Sequence, residues 1–156
     1  MNGRVIFFMK FRILLLMIAA VFLVSCTASP WEDRGDAEQV LCGLLSRFEL
    51  PAGVVYSDAQ GAEYPLTDSL IERMFSDGYG VPAFQYVVSC AVYTSRHFTE
   101  HEIVVAKLCD RSHREEVMNL FRRRAEKKEN AVVYADGVYV YLICTDRNED
   151  IRKALR

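Results

Sequence analysis

The stretch that most narrows the folds open to this chain is Ala131-Val-Val-Tyr134-Ala-Asp136-Gly137-Val-Tyr139-Val-Tyr141-Leu-Ile-Cys144. Two runs rich in β-branched and aromatic residues flank an Asp-Gly pair, which is the pattern of a hairpin closed by a two-residue turn. A type I′ turn on Asp136-Gly137 needs positive φ at both central residues. It predicts Ala135 opposite Val138, Tyr134 opposite Tyr139, Val133 opposite Val140 and Val132 opposite Tyr141. Alternation then puts Val132, Tyr134, Tyr139, Tyr141 and Ile143 on one face, and Val133, Val138, Val140, Leu142 and Cys144 on the other. The second set is aliphatic or small and is expected to pack on helices. The first is apolar with polar tips, so Tyr134, Tyr139 and Tyr141 form a candidate partner surface, with Lys107 joining them from the neighbouring strand. The competing expectation is that the first two helices cover this face.

The chain before the hairpin supplies the other elements. Asp36 has the position of an N-cap, and Ala37, Val40, Leu41, Leu44, Leu45 and Phe48 follow at helical spacing until Pro51. Gly53 to Tyr56 reads as a short strand at best. Ser69 with Glu72 forms a capping box ahead of Leu70, Ile71, Met74 and Phe75, and Gly78 closes that helix. Phe84 to Tyr93 alternates and is rich in Val and Tyr, and Glu102 to Cys109 is a second strand, so the two make a hairpin. Ser112 with Glu115 is another capping box, opening a helix that buries Val117, Leu120 and Phe121. Asp146 with Glu149 caps a last short helix carrying Ile151 and Leu155. The expected fold is α+β: a four-stranded antiparallel sheet from two hairpins, a ββαββα core, with two N-terminal helices.

The first 26 residues have a different character. Lys10 and Arg12 precede an apolar run from Ile13 to Val24, which closes on Leu23-Val24-Ser25-Cys26. Positive charge, a short greasy core and small residues before a cleavage point are the layout of a secretory signal. A membrane-spanning helix needs about 20 apolar residues, more than this run provides. Extending it back to Val5 would bury Lys10 and Arg12, at about 2.5 to 3.5 kcal/mol each near the bilayer centre. A core helix would show a polar face, and this run has none. Residues 23–26 resemble the lipobox of bacterial lipoproteins, which implies a diacylglycerol on Cys26 and cleavage just before it. Met9 makes a better start to such a signal than Met1. The expected organisation is a lipoprotein signal peptide over 1–26, a tether over 27–35 and a single domain over 36–156. From Thr27 to Arg34 the tether reaches roughly 27 Å when extended, which keeps the domain close to a bilayer. Trp31, the only tryptophan, falls within it.

Three of the 19 basic residues (Arg4, Lys10 and Arg12) lie in the signal, leaving 16 against 21 acidic ones. That negative balance argues against nucleic acid as a partner. Residues from about Val40 onward resemble an uncharacterised domain-of-unknown-function family of small lipoproteins common in clostridia and their relatives. The matching parts are Glu102-Ile-Val-Val-Ala-Lys107, the charged helix after Asp110, and Asn130-Ala-Val-Val-x-x-x-Gly137-x-Tyr139-Val. Members typically have a longer connection before the last hairpin, nearly absent here. The resemblance implies the outer face of a Gram-positive type cell membrane and assigns no activity.

The sharpest candidate for chemistry is His97-Phe-Thr-Glu100-His101. This is H-x-x-E-H, by which inverzincin metallopeptidases place two histidine ligands and a general-base glutamate on one helix face. A catalytic zinc also needs a third protein ligand, and the motif falls between two strands, where chance in a polar loop accounts for it. Cys42, Cys90, Cys109 and Cys144 permit disulfides outside the cytoplasm, but no spacing resembles a disulfide or zinc framework, and small buried core residues are expected. His113 is expected to be solvated. Arg122 to Lys128 could touch anionic phospholipid, but a solvated helix end complementing the macrodipole is favoured. The expectation is a non-catalytic, lipid-anchored extracytoplasmic domain without a cofactor, which binds a protein partner at the envelope or serves as an accessory there. The enzyme alternative is a small zinc hydrolase using His97, Glu100 and His101.

Overall fold

The computed structural model of the protein describes residues 34–76, 78–96 and 100–155. Among them four α-helices run over Ala37–Arg47 (α1), Asp68–Phe75 (α2), Arg114–Ala125 (α3) and Asn148–Ala154 (α4). The strands are Gly53–Ser57 (β1), Tyr64–Pro65 (β2), Val87–Ser95 (β3), Glu102–Leu108 (β4), Val132–Asp136 (β5) and Tyr139–Cys144 (β6). They form one six-stranded sheet in the order β2-β1-β3-β4-β6-β5. The expected four-stranded antiparallel sheet is therefore corrected. The two predicted hairpins make up its β3-β4-β6-β5 part, but β1 pairs antiparallel with β3, and β2 pairs parallel with β1, so the sheet is mixed. The additions are poorly marked in the sequence. β1 carries only a short β-rich run, and β2 is two residues long and ends in a proline, which a sheet tolerates only at its edge.

Both faces of the sheet are covered. The face bearing Tyr93, Ile103, Val105, Tyr139, Tyr141 and Ile143 packs on Ala37, Leu41, Leu44 and Phe48, and on Ile151 and Leu155. The opposite face, with Val92, Val104, Ala106, Val140 and Leu142, packs on Phe75 and on Val117, Leu120 and Phe121. Helices α1 and α4 thus make one outer layer, α2 and α3 the other. Covering on both sides explains why β4 and β6 read as nearly continuous apolar runs.

Local chemistry sets the element ends. Asp36 caps α1 as expected, accepting the Gln39 N–H at 2.8 Å while Gln39 Oε1 accepts the Asp36 N–H at 3.2 Å. Helix α2 begins earlier than the Ser69 box implies, because the Thr67 hydroxyl accepts the Leu70 N–H at 3.3 Å. Ahead of α3, Asp110 accepts the Ser112 N–H at 2.6 Å and caps a 3-10 turn over Arg111–His113, so the helix starts at Arg114 rather than after Ser112. The Asp110 carboxyl is held below its ordinary range chiefly by that hydrogen bond. Residues Pro82–Tyr86 form a 3-10 helix where a strand from Phe84 was expected. Pro82 presets a helical φ at its start, and Phe84 then packs on Phe75 at 5.4 Å between ring centroids.

The β5–β6 hairpin is present with a different register. Asp136 pairs with Tyr139, Ala135 with Val140, Tyr134 with Tyr141 and Val133 with Leu142. The turn is therefore Gly137-Val138. Of its two residues only Gly137 has positive φ, at 56°, the requirement of a type II′ rather than a type I′ turn. Asp136 stays in the strand because its carboxylate is bound by Arg34 at 2.6 Å. Val138 is held at the turn by its carbonyl, which accepts the Leu108 N–H at 2.8 Å. The slip is of two residues, so every strand residue keeps its expected face; a slip of one would have inverted the hairpin. Val138 alone changes sides, packing with the tyrosine face.

Candidate functional site

The strands bring chemistry-bearing residues together at both ends of the sheet. One end holds the Gly137-Val138 turn, the finish of β4 and the start of β3. The other holds the finish of β3, the start of β4 and the finish of β6.

At the first end stand the three tyrosines of the predicted partner surface. Tyr139 and Tyr141 are both 0 % exposed, and Tyr134 is half-buried with its ring stacked on Tyr141 at 6.0 Å. The expectation of an open tyrosine surface is therefore corrected for Tyr139 and Tyr141. The covering elements are α1 and α4 rather than the first two helices, since α2 lies on the opposite face. The hydroxyls are occupied from within the chain. Tyr139 Oη accepts the Arg34 N–H at 2.9 Å and donates to the Gly35 carbonyl at 2.7 Å. Lys107 Nζ donates to the same carbonyl at 3.0 Å and lies 5.9 Å above the Tyr139 ring. The Arg34 guanidinium reaches Tyr141 Oη at 3.3 Å, Asp136 at 2.6 Å and the Leu155 carbonyl at 2.7 Å. Burial pushes the Tyr141 hydroxyl well above its ordinary pKa, against the pull of Arg34. Arg34, Gly35 and Asp136 were not legible as participants. Arg34 and Gly35 sit in a segment without periodicity, and Asp136 carried a turn signal.

The opposite end carries a pocket of about 460 Å³ lined by Glu100, His101, Glu129, Asn130, Cys144, Thr145 and Asp146. Two of the three H-x-x-E-H residues are here; His97 lies outside the described residues. Glu100 and His101 sit just before β4 and belong to no helix, so the motif's helical geometry is not built at these two positions. His101 Nε2 is 3.3 Å from Asp146 Oδ2, while its Nδ1 is buried without a hydrogen-bond partner among the described residues. Glu100 accepts the Glu129 N–H at 3.2 Å, and Cys144 Sγ donates to the Glu129 carbonyl at 3.4 Å. Burial raises the Cys144 thiol, and Glu100, Glu102 and Asp146 add to this against the opposing effect of Lys128. This direction favours the thiol over the nucleophilic thiolate. Among the described residues no three His, Cys, Asp or Glu side chains converge on a metal position.

The basic run at the close of α3 divides in two. Arg122 pairs on the surface with Glu115 at 3.0 Å. Arg124 instead turns inward, its Nε and Nη2 each 2.6 Å from the two oxygens of Glu102, and Lys128 Nζ approaches Glu102 at 3.4 Å. Arg124 and Lys128 are thus counterions of a buried carboxylate, a correction to the solvated helix end. His113 is likewise half-buried rather than solvated, stacked on Tyr86 at 3.6 Å. The four described cysteines are free thiols. Cys90 and Cys144 are buried as expected, whereas Cys42 and Cys109 are exposed, one off the buried stripe of α1 and the other just past β4.

Comparison of the chain with protein-family models, with curated proteins and with solved structures returns no match. No helix among the described residues is long and apolar enough to cross a membrane.

Proposed function

We propose that this protein is a lipid-anchored extracytoplasmic domain, held on the outer face of the cell membrane through Cys26, which acts by binding or as an envelope accessory rather than by catalysis. The observation that carries this reading is the sequence Leu23-Val24-Ser25-Cys26 at the close of a charged and then apolar leader. Two lipid chains hold a protein stably where a single chain gives only marginal binding. The resemblance to a lipoprotein family points the same way.

The anchor is tested by Cys26→Ala. The variant is expected to lose the lipid, to retain the leader, as its mass will show, and to leave the membrane fraction after carbonate washing and cleavage of the leader by an added protease. Wild-type mass and retention in that variant would refute the reading. Metal analysis of the purified chain addresses the hydrolase alternative on His97, Glu100 and His101. We expect sub-stoichiometric zinc; one zinc per chain, lost in His101→Ala, would favour the enzyme.

A further inference from the structure

We propose that β5 is the seam of a two-fold dimer, in which the sheet runs on through an antiparallel β5–β5 pair into a second copy of this chain. The inference is independent of the Cys26 anchor. It starts from the two edges of the sheet, β2 and β5. An edge strand presents a row of backbone groups that another extended chain can pair with, and proteins blunt such edges with short strands, proline, lysine or bulges. Strand β2 is blunted, being Tyr64–Pro65 with the proline at its end. Strand β5 is not. Val132–Asp136 pairs with β6 in unbroken register and contains neither a proline nor a basic residue. Its one charge, the Asp136 carboxylate, is held by Arg34 at 2.6 Å.

The hairpin fixes which groups point outward. A two-residue turn closes on a hydrogen-bonded pair, here Asp136 with Tyr139, and such pairs alternate along the ladder. Asp136, Tyr134 and Val132 therefore bond to β6, while Ala131, Val133 and Ala135 turn their N–H and C=O away from it. None of these outward groups has a hydrogen-bond partner among the described residues. The side chains along this edge suit a copy of itself. Antiparallel pairing about Val133 satisfies every one of the outward groups at once: Val133 bonds to Val133 of the second copy, and Ala131 and Ala135 bond to each other. Val132 and Tyr134 then face each other across the seam, an apolar pair at the closer of the two ladder spacings. Asp136 falls opposite Asn130, so no like charges meet, whereas a pairing centred on Asp136 would oppose two carboxylates. One strand thus supplies both halves of a self-complementary contact, as a two-fold interface requires. A seam built on a strand of five residues is small, and the dimer belongs with the weak, concentration-dependent ones.

The experiment uses the full chain in detergent micelles. Cys42→Ser and Cys109→Ser remove the two exposed thiols of the domain, and this parent sets the background for oxidative cross-linking. Adding Val133→Cys should give a disulfide-linked dimer, because the paired Cα atoms lie about 5.5 Å apart. Ala135→Cys alone should stay at background, its two copies lying roughly 14 Å apart, whereas a mixture of Ala131→Cys and Ala135→Cys chains should link. Separately, donor- and acceptor-labelled Cys42→Ser chains carrying the dye on Cys109 should show energy transfer that rises with protein concentration in the micelles. Val133→Pro should abolish that transfer while leaving the thermal unfolding curve close to wild type, because proline there removes an outward N–H and no bond of the folded chain. Should the proline variant unfold, the cysteine series still decides the pairing. Background-level linking by Val133→Cys, or energy transfer that persists in a folded Val133→Pro chain, overturns the proposal. A chain that does not self-associate overturns it too, and leaves this edge to an extended segment of another protein.

Discussion

Replacing Glu102 tests how this domain holds α3 on its sheet. The Glu102 side chain is 3 % exposed and lies between Arg124 and Lys128, each 17 % exposed. Arg124 makes two 2.6 Å contacts to it, donates to the Met74 carbonyl at 2.6 Å and lies 5.3 Å from the Phe75 ring centre. Glu102→Ala removes the one carboxylate bound to this guanidinium among the described residues and leaves two cations beside each other in a mostly dry site. Loss of one partner of a buried pair costs about 3 to 5 kcal/mol. Arg124 keeps its bond to Met74 and some contact with water, which places the expected cost near 3 kcal/mol. At roughly 3 °C per kcal/mol for a domain of this size, the melting temperature should fall by on the order of 10 °C. Urea and thermal denaturation followed by far-ultraviolet circular dichroism measure this directly. The companion variant Glu102→Met, Arg124→Met, Lys128→Met removes both signs of charge at similar volume. It should recover to within about 1 to 2 kcal/mol of wild type, because the cost lies in the unpaired charge and not in the absent bridge. A loss below about 1 kcal/mol in Glu102→Ala, or a triple variant no better than the single one, would refute the reasoning.

Three further outcomes follow from the same geometry. A thiol reagent should modify Cys109 first and Cys42 more slowly, since burial and the nearby Glu38 and Asp36 raise the Cys42 thiol; Cys90 and Cys144 should react only on unfolding, and early labelling of either by mass spectrometry would contradict their burial. Gly53→Ala should cost about 1 to 3 kcal/mol in denaturation, because a Cβ there would meet the Tyr93 ring at 2.2 Å and the Thr94 carbonyl at 2.5 Å, and a neutral result would show that the Tyr93 ring moves aside readily. The Asp58 carboxyl is raised mainly by desolvation, with Asp36 and Glu38 adding to it, while its bond from the Cys90 N–H opposes the shift. Its protonated form is thus favoured in the folded state, so its contribution to stability is fully present below the ordinary pKa of 3.8 and is lost as pH rises through the higher folded value. Asp58→Asn should flatten that part of the stability–pH curve, and an unchanged slope would assign it to other carboxyls.

Much of the secondary structure was legible because it is governed by neighbours in sequence. The Asp36 cap, the Leu41 and Leu44 stripe of α1 and the buried Val117, Leu120 and Phe121 of α3 follow from helical spacing. The face of each strand residue in β5 and β6 follows from a period of two, which survives any even slip in register. Long-range contacts decided the rest. The turn moved to Gly137-Val138 because Asp136 answers Arg34, 102 positions away in the chain. The sheet gained β1 and β2 because strand pairing is settled by partners distant in sequence rather than by the local run. Tyr139 and Tyr141 have the composition of an exposed recognition surface, yet they are core, since their hydroxyls could be satisfied by a segment with no pattern of its own. Glu102, read as the unremarkable start of a strand, became the buried centre of an ion network only when α3 brought Arg124 over it. A side chain's chemistry is written in the sequence. What it faces is decided by the elements packed around it.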